Sequence, residues 1–317
     1  MFSRTAPIVL LLAALPCSAA DKVGSLDVRL LATMLTSDEG YGEWGFAALV
    51  VADGHRILFD TGAHPDTVLR NARDLHIELS NVPDVILSHH HLDHTAGLVT
   101  LRREYAKSNP AALARAHVGA GIFLSRTDGG AREANPMVAT KRDYESAGGT
   151  FIEYSETREL FPGIWLTGPV PRKYPEKNWN PGRMLRQSDG KTTEDNLPED
   201  QSLVVVTDKG LVVISGCGHS GIVNTMEYAR ARIAPAPIYA ALGGFHLYQA
   251  SDGTLAWTAS KLKEFGLQNL LGAHCTGIEA VYRLRQVIGL DRKTAAVGAV
   301  GGGFTLATGL DPGSIAL

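Results

Sequence analysis

The chain has 317 residues, of which 44% are hydrophobic and 20% charged, with a formal net charge of −3. This length and composition predict a folded protein with a large apolar core, and they exclude a disordered or fibrous chain. Because no basic stripe or Lys/Arg cluster is present, a nucleic-acid partner is not expected.

Residues 1–20 have the pattern of a signal peptide. Arg4 precedes the apolar run 8–15, and small residues lead to Ala20, which is the order of parts in a secretory signal. The apolar run is too short to span a bilayer as a helix, and no later segment is long enough. We therefore expect cleavage near Ala20 and a secreted or periplasmic protein without a membrane span. The sequence predicts no oligomeric state.

After residue 20, short apolar runs alternate with amphipathic stretches, which predicts strands alternating with helices. Strands are predicted at 26–35, 46–52, 56–59, 85–87, 203–206, 211–214, 238–242, 270–271 and 295–300. Helices are predicted from 65 to about 76, from 96 to about 107, and at 223–233, 255–265 and 278–287. This alternation predicts an α/β protein of several layers, in a single domain over 21–317.

The regular pattern is lost between 161 and 200. This stretch contains six prolines and shows neither a strand period nor a helix period. A long irregular segment inside a compact domain is either functional or disordered. Trp165, Tyr174 and Trp179 favour a lid over a substrate, and a surface loop packed by its own aromatic residues is the equal alternative.

The densest group of potential metal ligands lies at 88–95, which reads Ser-His-His-His-Leu-Asp-His-Thr. Imidazole and carboxylate are common ligands of divalent metals, and burying so many polar groups without a partner is costly. A solvated turn is the alternative, but it explains neither Asp93 nor the position of the run directly after the predicted strand 85–87. The run therefore predicts a metal site.

Three further histidines occupy similar junctions. His219, His246 and His274 each follow a predicted strand and precede a predicted helix. Ligands of open α/β sheets bind beyond the carboxyl ends of the strands. We therefore expect these histidines to meet the His-rich run at one site.

The pattern H-x-H-x-D-H, filled by His89, His91, Asp93 and His94, resembles the signature of the metallo-β-lactamase superfamily. Phe59-Asp60-Thr61-Gly62 resembles the strand-end Asp motif of the same superfamily. The runs Gly-Cys-Gly-His-Ser-Gly, Gly-Gly-Phe-His-Leu and Ala-His-Cys-Thr-Gly look like its branch related to the archaeal dihydropterin (ribofuranosylaminobenzene 5′-phosphate) synthase. The resemblance covers about 26–304 and implies a four-layer αββα sandwich of two mixed β-sheets flanked by helices.

The resemblance also implies a ligand set for two metal positions. The residues that would bind the first ion are His89, His91 and His219, and those for the second are Asp93, His94 and His274. Asp60 would orient ligands through hydrogen bonds without touching an ion, and His90 would not be a ligand. The implied cofactor is one or two divalent ions, zinc first, with manganese or iron as alternatives.

Two positions depart from the family pattern. Better-known members carry a bridging Asp where this chain has Cys217, which leaves three interpretations open: a thiolate ligand that bridges the ions, a neutral neighbour, or a disulfide with Cys275. Without a bridging carboxylate, one ion or two ions are both possible. Trp44 stands where relatives often have a His, and it would place an apolar wall beside the site.

The implied activity is that of a metal-dependent hydrolase, in which a metal-activated water attacks a small-molecule ester, lactone or phosphoester. Asp93 would accept a proton and His246 would protonate the leaving group, although a structural role for His246 is the equal alternative. His117 is expected to be structural. The alternative functions are a periplasmic β-lactamase, a di-iron oxidoreductase, whose His run usually includes a Glu, and a non-catalytic metal or ligand carrier.

Overall fold

The computed structural model describes residues 21–179 and 182–316. The predicted signal peptide lies outside the described residues. In chain order the strands are β1 Leu26–Ala32, β2 Ala47–Ala52, β3 His55–Phe59, β4 Asp84–Leu87, β5 Arg115–Gly119, β6 Arg126–Thr127, β7 Thr150–Tyr154, β8 Arg158–Phe161, β9 Ile164–Leu166, β10 Met184–Arg186, β11 Thr192–Glu194, β12 Ser202–Thr207, β13 Gly210–Ser215, β14 Ile238–Gly243, β15 Asn269–Gly272, β16 Ala295–Val297, β17 Gly303–Thr305 and β18 Gly309–Asp311.

The helices lie between these strands. They are α1 Thr67–Asp74, α2 Leu92–Thr95, α3 Leu98–Tyr105, α4 Met137–Ser146, α5 Ile222–Arg232, α6 Asp252–Glu264 and α7 Ile278–Ile288, with short 3₁₀ turns at His274–Thr276 and Ser314–Ala316. None of the described helices is both long and apolar enough to cross a membrane.

Two large mixed sheets organise the fold. The first has the strand order β18-β17-β1-β2-β3-β4-β5-β7, the second has the order β16-β15-β14-β13-β12-β9-β8, and β11-β10-β6 form a small third sheet. In the first sheet β3, β4, β5 and β7 run parallel, and in the second β13 to β16 run parallel. Since parallel neighbours need a long crossover, a helix follows each of these strands before the next one begins.

The side chains of each large sheet enter two different cores. Along β12, Leu203 and Val205 face the space between the sheets, whereas Val204 and Val206 pack against α5, α6 and α7. This follows from the two-residue period of a strand. A third core packs α1, α3 and α4 against the outer face of the first sheet. The resulting helix–sheet–sheet–helix layers confirm the predicted αββα sandwich.

The helix predicted at 96–107 begins earlier than expected. A first helical turn, α2, already contains Asp93 and His94, and Gly97 separates it from α3. A Cβ atom at Gly97 would lie 2.3 Å from the carbonyl oxygen of Thr61. The close approach brings the helical turn directly onto the end of β3, so the second half of the His-rich run is held by a helix.

Part of the segment expected to be irregular is regular. Strand β9 pairs with β12 inside the second sheet, and Trp165 on β9 packs against the outer core of that sheet. Trp165 is therefore a core residue and does not belong to a lid. Strands β10 and β11 pair in the small sheet, next to β6. A covering role for the rest of 161–200 stays a prediction.

Candidate metal centre

The predicted ligands meet at the carboxyl ends of the parallel strands of both sheets. Asp60 follows β3, the run 89–94 follows β4, and His219, His246 and His274 follow β13, β14 and β15. The ring centroid of His89 lies 4.2 Å from that of His94 and 4.6 Å from that of His219. The two sheets thus bring together residues that are more than one hundred positions apart.

The rings of His89, His91 and His219 form the first group. The ligand atoms of His89 and His219 lie within 4.8 Å of each other and of Cys217, whereas His91 joins no such set among the described residues. The ring centroid of His91 lies 4.6 Å from that of His89 and 4.9 Å from that of His219. Burial, together with the neighbouring histidines, lowers the pKa of His89 and of His91 well below the usual value and lowers the pKa of His219 to about 3. These rings are therefore neutral, which is the form that binds a metal.

The fit of this group to a metal ion is visible in its unsatisfied atoms. The Nε2 atoms of His89 and His219 are buried and have no hydrogen-bond partner among the described residues. A buried nitrogen without a partner is costly, and a divalent ion accepts the lone pair that each ring presents. The residues present therefore fit a metal ion.

Asp93, His94 and His274 form the second group. The Asp93 Oδ2 atom lies 3.3 Å from Nε2 of His274 and 3.8 Å from Nε2 of His94. Burial raises the pKa of the Asp93 carboxyl, but the electrostatic effect of neighbouring His94 and the hydrogen bond with His274 outweigh burial and lower the pKa overall. Asp93 is therefore an anionic oxygen ligand candidate beside two imidazoles.

Cys217 stands between the two groups. Its Sγ lies within 4.8 Å of ligand atoms of His89 and His219 on one side, and of His94 and His274 on the other. The distance from Sγ to Nε2 of His94 is 3.1 Å. Cys217 therefore lies within reach of both groups, and a bridging role for it stays a prediction.

Cys217 and Cys275 are free cysteines in the structure, with their Sγ atoms 3.2 Å apart. Burial raises the pKa of Cys217. Burial also acts to raise that of Cys275, but hydrogen bonds and the charge of His274 outweigh it and lower the pKa. His246 offers a ligand atom within 4.8 Å of both sulfurs. The sequence did not predict this contact. His246 is therefore a candidate ligand, together with Cys217 and Cys275, as well as a candidate acid.

A hydrogen-bonded relay orients the rings from behind. His89 Nδ1 lies 2.9 Å from the Ser88 hydroxyl, which donates to Asp60 Oδ2 at 2.7 Å, and the same oxygen lies 2.7 Å from His94 Nδ1. Both rings then carry their proton on Nδ1 and turn Nε2 toward the site. A Cβ atom at Gly216 would lie 2.1 Å from the Ser88 hydroxyl. Only glycine leaves room for this relay.

Three site residues have left-handed backbone conformations. The φ angles are +57° at Asp60, +50° at His246 and +46° at His274. Non-glycine residues rarely adopt this region, and where they do the conformation is held by surrounding structure and clusters at functional sites. The backbone conformation at these strand ends therefore orients the three side chains toward the site.

Sequence reasoning missed several supporting contacts. The backbone carbonyl of Asn178 accepts a hydrogen bond from Nδ1 of His219, and the Thr33 hydroxyl accepts one from the backbone N–H of His274. Ser88 lies inside the His-rich run, but nothing in the sequence of the run indicates that its hydroxyl links Asp60 to His89. The Asn178 contact uses a backbone oxygen, which carries no residue-type signal at all.

The two other histidines of interest lie in separate networks. His90 Nδ1 lies 2.7 Å from Glu199 Oε1, and Glu199 accepts a second bond from Arg126 at 2.7 Å. His117 lies between Asp84 and the Tyr154 hydroxyl, at 2.9 and 3.0 Å, and does not line the cleft. Neither joins the ligand groups found among the described residues.

A cleft of about 630 Å³ opens above the ligands. Trp44 forms part of its wall, with its ring centroid 5.1 Å from that of His274 and 5.2 Å from that of Tyr248, as the apolar wall expected from the sequence. Arg132 and Arg183 also line the cleft. Both are exposed and form no ion pair within residues 21–179 and 182–316.

Comparison with known proteins gives consistent matches. Residues 45–234 match the family model described as the metallo-beta-lactamase superfamily. The 7,8-dihydropterin-6-methyl-4-(beta-D-ribofuranosyl)-aminobenzene-5'-phosphate synthase of Methanocaldococcus jannaschii is 30% identical over 271 residues, or 81% of this chain and 91% of that protein.

Solved structures give the same result. Tm1679, described as a metal-dependent hydrolase of the beta-lactamase superfamily, is 28% identical and aligns over 83% of this chain and 93% of its own, with a TM-score of 0.67. The metallo-beta-lactamase fold protein YhfI from Bacillus subtilis is 13% identical, with coverage of 88% and 98% and a TM-score of 0.54. This second similarity concerns the fold alone.

Proposed function

The chain belongs to the metallo-beta-lactamase superfamily, and we propose that this metal-dependent hydrolase cleaves an ester bond in a small anionic molecule, with a phosphoester as the favoured substrate class. One observation carries the proposal. The buried Nε2 atoms of His89 and His219 have no partner among the described residues, and His219 lines a cleft that also holds Arg132 and Arg183, which form no ion pair with any described residue. The first feature binds a divalent ion, and the second attracts a negatively charged substrate.

The donor set favours zinc as the ion. Imidazole nitrogens, one carboxylate and a thiol are the ligand types that zinc combines in proteins. His89, His91 and His219 would hold one ion, and Asp93, His94 and His274 a second, with Cys217 between them. A divalent ion bound here acidifies a water and offsets negative charge that develops on the substrate.

The protein residues divide the remaining tasks. Asp60 and Ser88 keep the His89 and His94 rings in one orientation, so that the ligands need no rearrangement on binding. Asp93, whose side chain is 24% exposed, would accept a proton from the water that attacks the substrate. Trp44 limits the access of bulk water to His274. His246 lies at the edge of the cleft, where it is positioned to hydrogen-bond a leaving group.

The arginines of the cleft favour an anionic substrate, although the carboxylates of Asp93, Asp128, Glu133 and Asp195 line the same cleft. Arg126 is neutralised by Asp195 and Glu199, each at 2.7 Å, so it adds no net attraction. Arg132 and Arg183 remain free to pair with a ligand, and guanidinium groups bind phosphate oxygens with two parallel hydrogen bonds. A neutral lactone or a neutral ester gains nothing from this pair of charges.

A substrate panel tests the proposal. The metal-loaded protein is assayed on phosphodiesters, phosphomonoesters, carboxylic esters, lactones and cephalosporins of comparable size. We expect the highest kcat/KM with a phosphoester. In the Arg132→Gln/Arg183→Gln variant the KM for that phosphoester rises about tenfold or more, while kcat/KM for neutral esters is unchanged. Arg103→Gln, an exposed substitution on α3, is the control. Preference for a neutral lactone or a cephalosporin would contradict the proposal.

A further inference from the structure

A second cavity adjoins the cleft. It has a volume of about 930 Å³, lies between the loop 175–179 and the start of α6, and shares only His246 and Tyr248 with the cleft. We call it the α6 groove; it is lined by 175–179, 246–251, 253, 254, 257 and 258. We infer that the α6 groove binds the leaving group of the substrate, as a planar aromatic ring that carries a hydrogen-bonding substituent. The inference deepens the proposed function and rests on it.

Aromatic side chains form the walls of the groove. Trp179 comes from the loop, Trp257 from α6, and Tyr248 from the segment between β14 and α6. Trp257 and Tyr248 remain partly exposed, and Trp257 is held by an edge contact with Tyr174, with ring centroids 5.9 Å apart. Aromatic rings prefer planar partners in stacked or edge-on geometry. Three such rings around one groove favour a flat ring over an aliphatic chain.

A polar side chain at the groove has no partner. Thr258 is 1% exposed, and its Oγ1 atom has no hydrogen-bond partner among the described residues. Within a helix a threonine hydroxyl often bonds to the carbonyl oxygen one turn earlier, and here it does not. Since a buried hydroxyl without a partner is costly, a polar substituent of the bound ring would satisfy it. The first turn of α6 lies along the same groove, where the N–H group of Thr254 is already capped by the Ser251 hydroxyl at 3.2 Å.

The position of the groove assigns it to the leaving group. Arg132 and Arg183 line the cleft and not the groove, so the anionic part of the substrate lies on the cleft side. The bond to be cleaved then lies over the ligand groups, and the rest of the molecule passes His246 and Tyr248 into the groove. On hydrolysis the P–O bond to the leaving alcohol breaks, water supplies the new P–O bond, and a proton from that water ends on the alcohol.

Two phosphate esters of matched leaving-group acidity test this inference. Benzyl phosphate and cyclohexylmethyl phosphate both release a primary alcohol of similar size, but only the first contains an aromatic ring. We expect kcat/KM to be about fivefold or more higher for benzyl phosphate, and we expect Trp257→Ala to remove the difference. The control is Tyr282→Ala, which removes an exposed ring on α7 outside both cavities. This variant should retain the difference in kcat/KM between the two esters. Equal rates for the two esters in the wild-type protein would overturn the inference.

A binding measurement separates the groove from catalysis. Benzamide and cyclohexanecarboxamide are titrated into the wild-type protein and into His89→Ala, with protein-observed NMR as the readout. We expect tighter binding of benzamide in both proteins, weaker binding of benzamide in Thr258→Val, and no discrimination in Trp257→Ala. Retained discrimination in a His89→Ala protein that hydrolyses nothing supports the groove independently of the reaction. Equal affinity of the wild-type protein for the two amides, or unchanged discrimination in Trp257→Ala, would overturn it.

Discussion

Oδ2 of Asp60 lies 2.7 Å from Nδ1 of His94, and both side chains are fully buried. The same oxygen receives the Ser88 hydroxyl bond, so one carboxylate orients two ligand candidates. Asp60→Asn replaces a carboxylate, which only accepts hydrogen bonds, by an amide whose NH₂ group cannot accept the bonds from Ser88 and His94. We expect metal affinity to fall on the order of 10- to 100-fold, with the fold retained, as measured by competition with a chromogenic chelator.

The pair of Asp84 and His117 provides the control for this prediction. Asp84 Oδ1 lies 2.9 Å from Nε2 of His117 in a contact that is also buried, at 2% and 7% side-chain exposure, and lies away from the cleft. Asp84→Asn should lower thermal stability and leave metal affinity unchanged. An equal loss of metal affinity in both variants would contradict a specific orienting role for Asp60.

Gly216 is predicted to be essential for the same relay. The added methyl group of Gly216→Ala would lie 2.1 Å from the Ser88 hydroxyl and 2.5 Å from Asp60 Oδ2. We expect the free energy of unfolding to fall by about 1–3 kcal/mol and metal affinity to fall with it. Gly24→Ala is the matched control, because its methyl group meets Asp53 at an ordinary 3.7 Å. Chemical denaturation measures both, and a Gly216→Ala protein as stable as Gly24→Ala would refute the packing argument.

Cys217 is predicted to be the sulfur that contacts metal. It lies within reach of both ligand groups, whereas Cys275 joins only the group with Cys217 and His246. Cys217→Ser should therefore lower metal content per chain and hydrolytic activity more than Cys275→Ser does, as measured by elemental analysis and by turnover. If Cys217→Ser retains full metal content and activity, the thiolate is not a ligand.

Glu176 predicts a pH dependence of stability. Burial raises the pKa of its carboxyl to about 7, although the backbone N–H groups of Asn224 and Val223 act to lower it. The folded protein then binds a proton that the unfolded chain releases, so stability falls as the pH rises from about 4.5 to 7. Relative to Glu176→Gln, the wild-type protein should lose on the order of 2 kcal/mol over this window.

Denaturation of both proteins at several pH values measures this difference. The control is Glu145→Gln, which changes an exposed carboxylate on α4. Its free energy of unfolding should depend on pH in the same way as that of the wild-type protein. A Glu176→Gln curve parallel to that of the wild-type protein would show that Glu176 is already ionised when folded.

The fold and the ligand candidates could be predicted because their signals are local. The His-rich run follows a buried strand directly, and His219, His246 and His274 each end another strand. Parallel strands gather their carboxyl ends at one edge, so strand order was not needed to expect that these residues meet. The family motif then supplied the two-sheet architecture.

The rest depends on contacts that residue types do not encode. Asn178 supports His219 through a backbone oxygen, and Arg132 and Arg183 reach the cleft from loops that show no period. The sequence pattern places Trp165 in an irregular segment because β9 is only three residues long. Short strands of this kind are stabilised by their neighbours, here β12 and β8, and not by their own sequence.

Metal titration of stripped protein tests the central claim most directly. Protein treated with a chelator and dialysed is titrated with zinc, and hydrolysis of the best phosphoester is measured at each point. Activity should be absent without zinc and should reach a plateau between one and two equivalents per chain, as expected from the two proposed groups of ligands, while His89→Ala stays inactive throughout. Full activity in stripped protein, or no zinc bound by the wild-type chain, would contradict the account.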